Sequence, residues 1–115
     1  MSEPIDLWQE RLDVPFRERA PKVIENTRAE GPRFLFTAEG APAFPIAGGY
    51  AAGRSGKKLR ELMKTGYEAA RPSGWDPVER LKDQELDGID AEVLYPSLAM
   101  TLFAMTDADL QRACF

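Results

Sequence analysis

Residue types that carry acid-base and metal chemistry are scarce in this chain. Its 115 residues include no histidine and a single cysteine, Cys114. Without imidazole there is no Ser-His or Cys-His pair, no histidine general base and no histidine metal ligand. Nothing near Cys114 marks it as a nucleophile, and we interpret it as a small buried hydrophobic residue. The chain on its own is therefore not a histidine-dependent enzyme.

Two local patterns have the composition of functional motifs but lack their spacing. Residues 47–53 are rich in Gly and Ala, yet neither the dinucleotide-binding nor the Walker spacing is present, so we predict a loop or hinge. Asp87 and Asp90 are close in sequence. We interpret this pair as part of a capped, solvated turn and not as an acid/base dyad.

The charge pattern excludes several partners. The net charge is −4, and basic and acidic residues are mixed, so no contiguous basic patch is available to bind phosphates. A solvated helix face explains one local basic cluster, which consists of Arg54, Lys57, Lys58 and Arg60. No apolar run approaches the roughly 20 residues of a membrane-spanning helix. We therefore expect a cytoplasmic protein with no nucleic-acid or membrane partner.

The first half of the chain predicts one helix and a small β-meander. Apolar residues at spacings of three and four indicate a short amphipathic helix over residues 4–12. Residues 22–27 and 33–38 have the composition of two strands joined by a turn at residues 29–32. A third extended piece at residues 43–46 follows Pro42 and contains Pro45, and these prolines would confine it to a sheet edge.

The second half predicts helices with clear start signals. Ser55 is a candidate cap for a helix to about residue 70, with an inward face that includes Leu59, Leu62, Met63 and Tyr67. Asp76 followed by Pro77 starts a helix over residues 77–87, for which Gly88 is the C-terminal cap. We expect this helix to direct Val78, Leu81 and Leu86 inward.

The apolar run at residues 89–96 changes the predicted fold class. It stops at a proline and has the length of a buried strand. A capped helix followed by a buried strand is half of a βαβ unit, which favours α/β architecture with parallel strands. A further helix starts with a capping box at residues 106–109, so residues 55–115 are predicted as helix, helix, strand and helix.

Several strings together resemble a known family, the amidohydrolase-related proteins, which are metal-dependent hydrolases and decarboxylases. The strings are Glu3-Pro4 with Asp6-Leu7-Trp8 and Arg11, RERAP at residues 17–21, GWDP at residues 74–77 with Arg80-Leu81, and DGIDAEVLYP at residues 87–96. The resemblance is to the N-terminal portion of these proteins and spans nearly the whole chain. The last string is the most specific of them.

This resemblance implies a partial TIM barrel, the first part of a (β/α)₈ fold of about 250 residues. Residues 89–96 would form the second barrel strand, the first would lie around or before Met1, and residues 22–46 would be a β-rich insertion. Residues 1–115 would then be a single incomplete domain. The Asp-x-His metal motif of the family would precede Glu3 and is missing, and further metal ligands would fall beyond Phe115.

The resemblance also implies site residues. In the intact family a divalent metal, zinc or similar, polarises the substrate or generates hydroxide from bound water, whereas we expect no metal to be bound by this chain alone. Glu3 is the residue that could approach that metal, and its alternative role is a helix N-terminal carboxylate. Tyr95 and Ser97 would border the substrate pocket, because barrel strands end at the active site. For Tyr95 the alternative is a packed strand-end tyrosine with a solvated hydroxyl.

Two functions follow as expectations. The first is an N-terminal portion of a metal-dependent hydrolase or decarboxylase, inactive by itself, whose parent acts on a small-molecule substrate. The second is a small non-catalytic α+β binding or assembly module whose exposed strand edge and apolar surface pair with another chain. A homo-oligomer and pairing with a complementary chain both stay open.

Overall fold

A short helix and a tight 3₁₀ turn form the first part of the chain. The computed structural model describes residues 2–28, 30–66 and 69–115. Helix α1 spans Leu7–Arg11, and a 3₁₀ helix spans Val14–Arg19. The predicted helix over residues 4–12 is therefore present but shorter. Three predicted features involve positions outside the described residues: the barrel strand at Met1, the turn position Ala29, and Tyr67 on a helix face.

A three-stranded antiparallel sheet follows, as predicted for residues 22–46. Strand β1 is Lys22–Glu25, β2 is Phe34–Thr37 and β3 is Phe44–Pro45, in the order β1-β2-β3. Lys22 is opposite Thr37 and Phe36 is opposite Phe44. The strand that contains Pro45 is at the edge, because proline cannot donate a ladder hydrogen bond. The meander is confirmed.

Three further α-helices were predicted with different accuracy at their ends. Helix α2 is Gly56–Leu62, α3 is Pro77–Asp87 and α4 is Ala108–Cys114. The limits and caps of α3 are confirmed: the Asp76 carboxylate accepts from the backbone N–H groups of Val78 and Glu79 at 2.8 and 3.3 Å, and Gly88 is left-handed at φ 69°. Ser55 holds the cap position of α2 without a capping hydrogen bond from its side chain.

Helix α4 begins one residue later than the capping box predicted. The side chain of Asp107, not of Thr106, accepts from the N–H groups of Asp109 and Leu110 at 3.0 Å each. Short 3₁₀ helices connect the longer elements: Ile46–Tyr50, Pro72–Gly74 and Ala99–Ala104. The last of these leads into α4 and supplies part of the core.

The core joins the two ends of the described chain. Trp8 of α1 packs its ring 5.1 Å from the ring of Phe36 in β2. Leu102 and Leu110, from the C-terminal part, are both fully buried in the same cluster. The other buried members of this cluster are Leu12, Ala20, Ile46, Leu98, Ala99 and Met105. Of the described residues between 51 and 95, none belongs to it.

The buried strand predicted at residues 89–96 is wrong. Residues 91–96 have no regular secondary structure, and Val93 and Tyr95 are 77% and 76% exposed. In the part of the chain that is described, no backbone N–H of residues 90–95 donates to another backbone carbonyl. An apolar run becomes a strand only if a second strand pairs with it, and here β1, β2 and β3 pair with one another instead.

The α/β partial TIM barrel is therefore also wrong. The fold is a small α+β arrangement of a three-stranded antiparallel sheet and several helices, and the described residues contain no parallel β/α repeat. The helix-helix-strand-helix order expected for residues 55–115 lacks its strand. The β-rich segment at residues 22–46 is the sheet that packs on the core and not an insertion between barrel strands.

Helix α3 does not direct Val78, Leu81 and Leu86 inward. All three are exposed, and Leu86 is 80% exposed. The principal contact of α3 is with the preceding 3₁₀ helix Pro72–Gly74, and no core residue comes from it. The Cα radius of gyration, 15.5 Å, exceeds the roughly 13 Å expected for a domain of this length. The region around α3 is therefore peripheral to the core.

Candidate functional site

Glu3 binds three consecutive backbone N–H groups. Its Oε1 accepts from Ser97 and Ala99 at 3.0 and 3.2 Å, and its Oε2 accepts from Leu98 at 2.9 Å. These donors precede and begin the 3₁₀ helix Ala99–Ala104, where N–H groups have no partner within the helix. Glu3 is thus a carboxylate at the N-terminus of the 3₁₀ helix Ala99–Ala104. It does not occupy the N-terminus of α1, the helix that follows it in sequence.

Ser2 and Tyr50 lie beside this carboxylate. The Tyr50 hydroxyl donates to the Ser2 Oγ at 2.8 Å, and the Ser2 backbone N–H donates to the Gly74 carbonyl at 2.7 Å. Burial raises the pKa of Tyr50, the Ser2 hydrogen bond opposes that rise, and the negative charge of Glu3 adds to it. Tyr50 is therefore held neutral as a hydrogen-bond donor.

The predicted site residues are only partly brought together. Glu3 and Ser97 are in direct contact through the Ser97 backbone N–H. Tyr95, two residues earlier, is largely exposed and lies next to the apolar residues of the segment. The roles of Glu3 as a metal ligand and of Tyr95 and Ser97 as substrate-binding residues stay predictions. Tyr50 was missed, because it ends a small-residue stretch that carries no sequence signal for a site.

The donor set around Glu3 does not fit a divalent metal. A carboxylate has about four acceptor positions, and three of those of Glu3 receive N–H donors. Structural and catalytic metal sites need three or more protein ligands. Among the residues that are described, no group of three His, Cys, Asp or Glu side chains is arranged to hold a metal ion. What this arrangement can do is fix Glu3 against residues 97–99 and Ser2 against Tyr50 and Gly74.

A second feature is an apolar surface formed by α3 and residues 89–95, here called the α3 face. The Arg80 guanidinium binds both oxygens of the Glu92 carboxylate and fastens the irregular segment to the helix. This ion pair lowers the pKa of Glu92. A cavity of about 350 Å³ lies between the two parts. The exposed apolar side chains assigned to the α3 face are Val78, Leu81, Leu86, Ile89, Val93, Leu94 and Tyr95. Of these, Leu81 and Leu94 line the cavity.

The α3 face is surrounded by negative charge. Residues 76–95 contain seven acidic residues and two basic residues. Glu92, Glu79 and Asp83 form ion pairs with Arg80, Lys82 and Arg71. The other four carboxylates are exposed or cap the helix. An exposed apolar patch with a charged rim is typical of surfaces that bind another protein segment.

Cys114 has no reactive environment. It is half-buried at the end of α4, and its burial raises the pKa of the thiol. Its backbone carbonyl accepts a 3.1 Å hydrogen bond from the Trp8 indole. The interpretation of Cys114 as a packing residue agrees with this position.

Comparisons with known proteins add no assignment. No protein-family model matches the chain, and no curated protein matches it significantly. Within the described ranges, no helix combines the length and apolar character that crossing a membrane requires.

Proposed function

We propose that this chain is a non-catalytic part of a metal-dependent hydrolase or decarboxylase of the amidohydrolase-related kind, and that it is inactive by itself. The resemblance of residues 3–11, 17–21, 74–81 and 87–96 to that family motivates the proposal. The observation that carries it is the α3 face, because the string most specific to the family, residues 87–96, is also an exposed apolar segment. Its backbone N–H groups at residues 90–95 donate to no backbone carbonyl in the described ranges.

Exposed apolar side chains on this scale favour burial against another surface. Burying a side chain of the size of leucine or valine stabilises a protein by about 1.5–3 kcal/mol, and the α3 face carries seven such large side chains. The acidic rim favours a partner surface with basic residues. We propose that the rest of the enzyme supplies that surface, together with the metal ligands and the small-molecule substrate site.

Location and other partners follow from composition. We propose a cytoplasmic location, because a chain with one cysteine has no internal disulfide that needs an oxidising compartment. We propose no nucleic-acid partner, since the net charge is −4.

Two experiments test the proposal. Reading the encoding DNA on both sides is expected to reveal an in-frame Asp-x-His motif upstream or histidine-bearing segments downstream, and stop codons adjacent to both ends would overturn it. The purified chain is expected to show no metal-dependent turnover of amide, ester or carboxylate substrates. Turnover that is lost with a chelator and restored by zinc would contradict inactivity.

A second candidate is a non-catalytic α+β binding or assembly module. The observation that favours it is the core that the chain builds for itself, from Trp8 to Leu110. Light scattering after size-exclusion chromatography, with a thermal melt, distinguishes the two. A sharp transition and a defined oligomer support the module, whereas aggregation or a broad, molten-like transition supports an incomplete enzyme.

A further inference from the structure

A groove lies between α2 and the turn that joins β1 to β2, at a distance in sequence from Glu3 and from the α3 face. Its volume is about 500 Å³, within the range of small-molecule sites. Its apolar surface comes from Pro32 on the turn and from Leu59 and Met63 on the helix side. None of these residues belongs to the core cluster of Trp8 and Leu110.

Hydrogen bonds fix both walls of this groove. The Arg33 backbone N–H donates to the Met63 carbonyl at 2.8 Å and so ties the turn to the end of α2. The Asn26 side chain donates to the Pro32 carbonyl at 2.9 Å. Gly31, at φ 100°, allows the turn between them. The groove is therefore shaped before any ligand enters it.

Two cationic side chains, Arg60 and Lys64, line the helix side. Arg60 is on α2, and Lys64 follows the end of that helix. Neither side chain makes a hydrogen bond or ion pair with a described residue, whereas the neighbouring Lys57 is 3.7 Å from Glu61. The single carboxylate, Glu30, is on the opposite wall. Positive charge is thus concentrated at one side of an apolar floor.

We propose that this groove binds a small amphipathic anion, an apolar carboxylic acid. Its apolar body covers Pro32, Leu59 and Met63, and its carboxylate is bound by Arg60 and Lys64. Glu30 repels the anionic end and so orients the ligand toward the helix side. This site goes beyond the proposed hydrolase or module function and does not depend on it.

The test uses the full chain labelled with ¹³C at the methionine methyl groups, with decanoate as the probe below its micelle-forming concentration. Decanoate is expected to shift the Met63 methyl signal, assigned with Met63→Leu, and to leave the signals of Met100 and Met105 in place. Decanol, which has the same chain without the charge, is expected to bind more weakly. Equal binding of decanol and decanoate would overturn the proposal.

Matched double variants separate the groove from general surface charge. Arg60→Gln with Lys64→Gln is expected to weaken decanoate binding about tenfold, since each exposed charge contact contributes a modest free energy. Arg11→Gln with Lys58→Gln removes the same charge from exposed positions that do not line the groove, and affinity is expected to stay within about twofold. Equal losses in both variants would overturn the proposal. So would a Met63 shift that depends on protein concentration alone, which would mean that a second copy fills the groove.

Discussion

The indole N–H of Trp8 donates a 3.1 Å hydrogen bond to the carbonyl of Cys114, across 106 positions of sequence. Helix α1 is thereby joined to the end of α4. Since Trp8 is also buried against Phe36, one side chain connects the first helix, the sheet and the last helix.

Replacing this tryptophan should destabilise the whole fold. Trp8→Ala removes a large buried ring, and we expect a loss of about 3–5 kcal/mol in the free energy of unfolding. Trp8→Phe keeps most of the ring but leaves the Cys114 carbonyl without its donor, and we expect a smaller loss of about 1–3 kcal/mol. Urea denaturation measures both. The control is Trp75→Phe, at a half-exposed tryptophan, with an expected change within about 0.5 kcal/mol. Equal effects at the two tryptophans would contradict the position of Trp8.

Glu3 should contribute to stability through its charge. Glu3→Gln keeps one acceptor oxygen but places an amide NH₂ among N–H donors, so we expect a loss of about 2 kcal/mol. The amide resonances of Ser97 and Leu98 should move as well, because they lose an anionic acceptor. Glu18→Gln is the matched control, since Glu18 is exposed and makes no hydrogen bond from its side chain to a described residue. Unchanged Ser97 and Leu98 resonances in Glu3→Gln would show that the contact is absent in solution.

A pair of identical leucine substitutions tests the division between core and surface. Leu102 is fully buried and Leu86 is 80% exposed. Leu102→Ala leaves a cavity and should lower the free energy of unfolding by about 2–5 kcal/mol. Leu86→Ala should change it by less than about 0.5 kcal/mol. A loss above about 2 kcal/mol for Leu86→Ala would mean that α3 packs inward after all.

Acid should weaken the fold through the carboxylates that bind Arg19. Backbone N–H donation from Leu110, then the Arg19 guanidinium, lowers the pKa of Asp107, and Arg19 lowers the pKa of Glu39. Groups with a folded pKa below the unfolded value stabilise the fold above the unfolded pKa, and this contribution is lost as pH falls through the folded pKa. We therefore expect the melting temperature to decrease once the pH drops below about 4.

Arg19→Gln isolates this contribution. The variant should melt below the wild type at pH 7, and the difference should shrink as the carboxylates become protonated toward pH 3. Melting curves at half-unit pH intervals measure the difference. A gap that stays constant between pH 7 and pH 3 would show that Arg19 stabilises by packing alone.

Local signals predicted local structure well. Asp76, Pro77 and Gly88 determine where α3 begins and ends through their own backbone and side-chain chemistry, so the sequence sufficed for them. Pairing was harder. The run at residues 89–96 has the composition of a strand, but strand formation depends on a partner that its own residues do not specify.

The sequence predicted some residues of the candidate site but not the contacts between them. Glu3 and Ser97 were both selected from the family resemblance, yet their contact spans 94 positions and no spacing rule reaches that far. Tyr50 depends on its contact with Ser2, and the groove at Met63 depends on how α2 meets the β1–β2 turn. Both are tertiary relationships. The orientation of Val78 and Leu81 failed for the same reason, because apolar spacing identifies a face but not what covers it.

The core made by α1, the sheet and residues 98–110 has a consequence for synthesis on the ribosome. A nascent chain that has emerged only to the end of β3 lacks Leu98, Leu102 and Leu110, so Trp8 and Phe36 have no C-terminal partners to enclose them. Closing the long intervening segment costs only slightly more entropy than closing a short one, but it delays the contacts of Trp8 and Phe36 with residues 98–110. The sheet should therefore remain open to chaperones or to other nascent chains until residues 98–110 have emerged.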